Sequence, residues 1–274
     1  MNRTIRVLQP VVSDFAKHDF GGVFDYDLSS VRRLTYSRLS HLIVFPEEIF
    51  AMRWRLLSFA MATVFCLTLV GFVRADHKLE PVEGLPEGMS KEVAAVVQAQ
   101  GHRIAGDGGP VCSVWFAKEV PTKANFKPTL NVKYPFAPGE LIGVLHVQAK
   151  SKFTDFRGQE MKTGVYTLRY GQQPEDGNHV GTSDLADFLL AIPAAADSDP
   201  KPIGGFDDLT KRSAKSAGAT HPAIFSLLPV DKPANKPTLT HDGGKDHTML
   251  STVLSAKGGT RIALRMVVIG KSGE

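Results

Sequence analysis

The chain has 274 residues, 43% hydrophobic and 22% charged, an ordinary globular composition with room for one domain or two small ones. Its net charge of +4 is unevenly placed: residues 1–75 carry 9 Lys/Arg against 6 Asp/Glu, and residues 76–274 carry 23 against 22. With no basic stripe in that second part, nucleic acid is excluded as an expected partner, and with only Cys66 and Cys112 no disulfide framework supports the fold.

Residues 52–75, MRWRLLSFAMATVFCLTLVGFVRA, begin with Arg53 and Arg55 and continue as an uncharged apolar run from Leu56 to Val73. Val73-Arg74-Ala75 then supplies the small or modest residues that a signal peptidase reads. The pattern predicts a secretory signal cleaved after Ala75, and so an exported protein of the periplasm or the extracellular space. The alternative is an uncleaved anchor, because 18 apolar residues are just enough to span a bilayer. In that case 56–73 would be its one membrane contact. Bulky Phe65 before Cys66 argues against a lipoprotein site. Residues 1–51 show no sustained periodicity. They are expected to be an extension upstream of a start at Met52, or a cytoplasmic tail if the anchor is kept.

Residues 76–88 are rich in Pro, Glu and Gly and read as a linker to a single domain over 89–274. Ser90 is a candidate N-cap, and Val93, Val96 and Val97 follow at helical spacing, which predicts a short helix near 91–100 ended by Gly101. From His102 the period changes to two. Apolar runs at 111–118, 141–148, 165–170, 187–192, 223–228, 248–254 and 260–269 read as strands separated by turn residues.

Alternation assigns faces within these runs. Cys112, Val114 and Phe116 share one; so do Tyr166, Leu168 and Tyr170; so do Ile262, Leu264, Met266 and Val268. Cys112 therefore reads as a small buried hydrophobe. His146 falls with Ile142 and Val144 on an apolar face and reads as a hydrogen-bonded core histidine. The proline-rich stretch 119–140 predicts a long irregular crossing, and 229–247 a loop. In FDDLTKRSAKSAG, acids precede bases in the order that suits a helix dipole, which predicts a second short helix over 207–217. Together these give an all-β antiparallel sandwich, immunoglobulin-like or Greek key, with one or two short peripheral helices.

Residues 164–181 and 187–190 follow the pattern G-V-Y-T-L-R-Y-x-x-Q-P-x-D-G-x-H-x-G and then D-F-L-L. With FTDFRGQEMKTG just before it, this stretch resembles a family of uncharacterised secreted bacterial proteins. The resemblance implies a small secreted or periplasmic β-domain and no activity.

Two loops carry candidate chemistry. Loop 171–186 holds Asp176, His179 and Asp184, carboxylates and an imidazole able to take a cation or polar ligand. Its Asp-Gly and Asn content equally suits a turn-dense solvated loop. His241, Asp242, Asp246 and His247 cluster in the second loop and could hold a divalent metal, although their spacing fits no established motif. No GxSxG, HExxH, P-loop or GxGxxG sequence is present. The expectation is an exported module without a cofactor that binds another protein or an envelope polymer. A secreted metal-dependent enzyme using the loops at 176–184 and 241–247 is the alternative.

Overall fold

The computed structural model describes residues 77–148, 152–173 and 185–273. The expected tail, the signal segment 52–75 and the loop residues Asp176, His179 and Asp184 lie outside these. The described residues form ten strands: β1 (Lys78–Glu83), β2 (Gln100–Gly106), β3 (Gly109–Phe116), β4 (Leu141–Val147), β5 (Gly164–Gln172), β6 (Asp187–Pro193), β7 (Ala223–Leu228), β8 (Thr238–Asp242), β9 (His247–Ser255) and β10 (Arg261–Ile269). Two α-helices join them, α1 (Lys91–Val96) and α2 (Phe206–Ala217). The fold is all-β, and every strand pair of the sheet is antiparallel.

The strands hydrogen-bond in the order β1-β2-β3-β4-β5-β6-β7-β10-β9-β8. The first seven form a meander. The last four form the expected Greek key, because β7 lies beside β10 and the chain crosses to β8 before returning. One face of all ten strands looks onto a shared core that takes in Ile104, Val114, Leu145, Leu168, Leu189, Phe225, Leu250 and Leu264, with Leu79 and Leu239 from the two edge strands packed against it. The edge strands β1 and β8 also approach each other, and His77 Nδ1, just before β1, lies 3.4 Å from Thr248 Oγ1 of β9, so the sheet curls until it nearly closes.

The assigned faces hold. Cys112, Val114 and Phe116 line the core with Tyr166, Leu168 and Tyr170, and with Leu264, Met266 and Val268. Burial pushes the Cys112 thiol far above its usual range, which keeps it protonated and unreactive. His146 departs from expectation. A bulge between Leu141 and Gly143 shifts the register, so Ile142 enters the main core while Val144 faces outward. His146 is half-buried on that outer side, 3.3 Å from Gln148 Nε2.

Three strands were not legible as such. β1 (6 residues) lies within the expected linker 76–88. It is an edge strand, where Pro81 needs no ladder donor on its open side. β2 begins where the first helix was expected to finish. α1 stops at Val96, and Gly101 lies in the strand, not at a helix end, because a Cβ there would come within 2.5 Å of the Trp115 ring. β8 lies in the expected 229–247 loop, and its polar sequence conceals the pairing of Thr238–Asp242 with β9. Ser90 does cap α1, accepting from Val93 N at 3.1 Å.

The seam between β7 and β10 is short, with register pairs at Leu227–Met266 and Leu228–Arg265 only. Tyr134, from the long crossing, reinforces it. Its hydroxyl donates to Leu228 O at 2.6 Å and accepts from Arg265 N at 3.0 Å. One side chain thus bridges the donor and acceptor of facing strands.

Leu168 and Leu264 have no solvent exposure, so Leu168→Ala and Leu264→Ala should each lower stability by about 2–5 kcal/mol in urea unfolding. Tyr134→Phe leaves the Arg265 N–H and the Leu228 carbonyl without that bridge. It should cost about 1–3 kcal/mol, and amide hydrogen exchange should quicken along β7 and β10 before other strands.

Candidate functional site

The outer face of β6 and β7 is covered by α2, and the sequence of that helix explains how. Ser213 and Ser216 are small enough for close approach, and both are buried. Ser213 Oγ donates to Ala223 O at 3.2 Å and accepts from Ala223 N at 3.0 Å, and Ser216 Oγ donates to Ala191 O at 2.7 Å. Leu209 adds an apolar anchor against Leu190, Ile192 and Ile224. Gly218, in the left-handed conformation with φ +64°, closes the helix. Asp207 and Asp208 lie in the first turn as expected, with Asp208 paired to Arg212 at 2.8 Å.

Alongside this docked helix runs a cleft of about 350 Å³. Phe188, Ile224 and Pro222 contribute from the sheet side, and Phe206 and Ala214 from α2. Phe206 is 38% exposed, a large aromatic left partly uncovered at the cleft. Arg157, Lys211 and His221 also line it, from a turn, the helix and the loop before β7. No Asp or Glu lines it among the described residues.

Arg157 is held in place by Asp155. That carboxylate is wholly buried and accepts from Arg157 N at 3.0 Å, Gln159 N at 2.7 Å, Gln159 Nε2 at 2.9 Å and Ile224 N at 3.1 Å. Asp155 therefore fastens the Arg157 turn to β7. Burial raises its carboxyl above the usual range, and the four N–H bonds oppose the rise. In sequence it lies within FTDFRGQ, where an Asp followed closely by Gly reads as an ordinary turn.

A second groove of about 640 Å³ crosses the outer face of β7, β10 and β9. It has mixed charge, with Asp231 and Asp242 facing Lys245 and Arg265. Arg265 is tethered through Nε to Ser251 Oγ at 3.1 Å.

The residues expected to form a metal site are divided by the β8–β9 register. Asp242 pairs with His247 and His241 with Thr248, so adjacent positions face opposite sides. His247 is buried and donates from Nε2 to Lys271 O at 2.9 Å, with its ring edge-on to Phe156. His241 lies 3.3 Å from Thr248 Oγ1 and 3.7 Å from the exposed Asp246 carboxylate. Asp242 Oδ1 accepts from Gly244 N and Lys245 N and shapes the hairpin turn. Among the described residues no three His, Cys, Asp or Glu side chains converge as metal ligands.

Two charged constellations are buried beside β5, and neither was anticipated. Arg169, on the outer face, has no solvent exposure. Its Nε and Nη2 donate to Asp197 at 2.8 Å each, Nη1 to Gly139 O at 3.0 Å and Lys201 O at 2.7 Å, and Nη2 also to Asp199 O at 2.5 Å. These use all five guanidinium N–H groups. Thr167 donates to the same Asp197 carboxylate. On the inner face Tyr170 donates to Asp187, whose other oxygen accepts from Lys133 N at 2.5 Å. Both are closed to further partners and serve the scaffold.

Removing one partner from a satisfied buried pair strands the other charge. Arg169→Met should therefore destabilise the protein by about 3–5 kcal/mol in urea unfolding. Burial raises the Asp155 and Asp187 carboxyls above the usual carboxylate range. Within the window between the unfolded and folded values the native state binds more protons than the unfolded chain, so stability falls as pH rises through it. Unfolding free energy should accordingly increase from neutral into mildly acidic solution. Asp187→Asn, which cannot titrate, should make that increase shallower.

Compared with known proteins, the chain matches no family model, no curated protein and no solved structure.

Proposed function

We propose that the protein is an exported, non-catalytic binding module of the periplasm or extracellular space, and that its ligand occupies the cleft between α2 and the β6–β7 face. The observation that carries this reading is a concave site fixed on rigid elements, with one large aromatic, Phe206, left 38% exposed at it. Phe188, Phe206 and Ile224 line it, while buried serines hold the helix and Asp155 holds the facing turn. Ligand sites are typically concave, largely apolar and preformed, with a few polar groups that set orientation. Export is supported by the Arg53/Arg55 start, apolar run and Val73-Arg74-Ala75 ending.

Two measurements test the proposal. Fractionation followed by N-terminal sequencing should find a soluble product outside the cytoplasm that begins at Asp76; retention of 56–73 in the membrane would refute cleavage. A fragment screen followed by amide chemical shifts should give hits whose perturbations centre on Phe188, Phe206, Ala214 and Ile224. Hits gathered in the β7–β10–β9 groove would move the site elsewhere.

A further inference from the structure

We infer that the α2/β6–β7 cleft is built for a small aromatic carboxylate; this rests on the cleft being the binding site. Its apolar part includes two phenylalanines. Phe206 projects from the first residue of α2 and Phe188 from β6, with Ile224 and Pro222 beside them. Phenyl groups at the lining favour a flat aromatic guest, which gains from offset or edge-to-face contact beyond simple burial. A volume of about 350 Å³ is near the lower end for ligand pockets. It suits a one- or two-ring molecule better than a long chain.

Among the described residues the charged groups of the lining are all basic. Arg157, Lys211 and His221 reach the cleft from three separate segments, and none of them forms an ion pair within the described residues. The acids of α2 are not among the lining groups. Asp208 is engaged by Arg212 one turn along the helix. The same helix thus directs a committed ion pair away and leaves Lys211 at the cleft. An arginine fork matches a carboxylate through two parallel N–H bonds, and a lysine adds a mobile point charge. The β7–β10–β9 groove lacks this asymmetry, because its aspartates compete with any anion for Lys245 and Arg265.

Asp155 is the positioning residue for this arrangement. It touches no ligand, yet its bonds to Arg157 N and Ile224 N tie the cation-bearing turn to the strand that supplies part of the apolar lining. The backbone that carries Arg157 is therefore anchored to the strand by a buried side chain.

The test uses 2-naphthoate and its neutral amide, 2-naphthamide, titrated calorimetrically into the protein produced from the full-length chain. Naphthoate should bind about tenfold more tightly than the amide, the equivalent of about 1.4 kcal/mol for charge-assisted bonds. Arg157→Gln with Lys211→Gln should abolish that preference while leaving amide binding and the urea midpoint unchanged. Phe206→Ser should weaken both probes about equally. Equal affinity for the two probes, with both lost in Phe206→Ser, would overturn the carboxylate assignment and leave the cleft standing as a binding site. Naphthoate binding untouched by all three substitutions would overturn the inference and the cleft reading together. Absence of naphthoate binding would overturn the ligand class, and the fragment shifts at Phe188 and Phe206 would then decide the cleft on their own.

Discussion

The guanidinium of Arg169 is the constraint on which much of the outer layer depends. A strand residue on the face away from the main core would ordinarily meet solvent, and an arginine there needs no partner. Here the 194–203 segment folds over it, and the charge must be satisfied inside the protein. Asp197 neutralises it, and the carbonyls of Gly139, Asp199 and Lys201 take the remaining donors. The backbone of that segment is therefore fixed by one side chain. Gly139 shows how tight the fit is. Its φ is +86°, and a Cβ there would lie 2.1 Å from Ile203 O. The segment so fixed leads directly into α2, so the position of the candidate cleft follows from how Arg169 is buried.

The inner layer has a matching anchor. Tyr170 on β5 bonds diagonally to Asp187, the first residue of β6, and Asp187 draws in Lys133 from the proline-rich crossing. Tyr134, the next residue, reaches the β7–β10 seam, and Phe136 packs edge-on against Tyr170 at 5.5 Å. A segment without regular structure is thereby made part of the core and closes the sheet where its backbone ladder is shortest. Long irregular crossings are stable when their polar groups find such partners. This one uses a carboxylate and a phenol.

The site was less legible than the fold. The histidine and aspartate clusters drew attention because imidazole and carboxylate groups are chemically versatile, yet in 241–247 strand alternation sends His241 and His247 to opposite faces. The cleft was invisible for the opposite reason. Phe188 and Ile224 fall inside apolar strand runs, Lys211 is one of the bases that suit the helix dipole, and Phe206 and Asp155 belong to no catalytic or metal-binding motif. A usable signal was present in α2, where two serines at positions buried against the sheet announce a helix docked closely with little apolar cover of its own. The exposed aromatic at its first position then has no internal reason to be there.

The sequence by itself determined the all-β class, the two helices, and which face of β3, β5 and β10 turns inward. Periodicity is a local property, and each of those segments carries its own record of it. It also determined where charge collects. Tertiary structure alone decided the strand order, the pairing of β1 and β8, and the outward turn of Val144 and His146, because register, bulges and edge pairing depend on residues far apart in the chain. It alone decided that Arg169, read from alternation as facing away from the core, would be buried. And it alone brought Arg157, Lys211 and His221 to one cleft. Their neighbours in space are set by how α2 packs across β6 and β7, a relation that no single stretch of sequence contains.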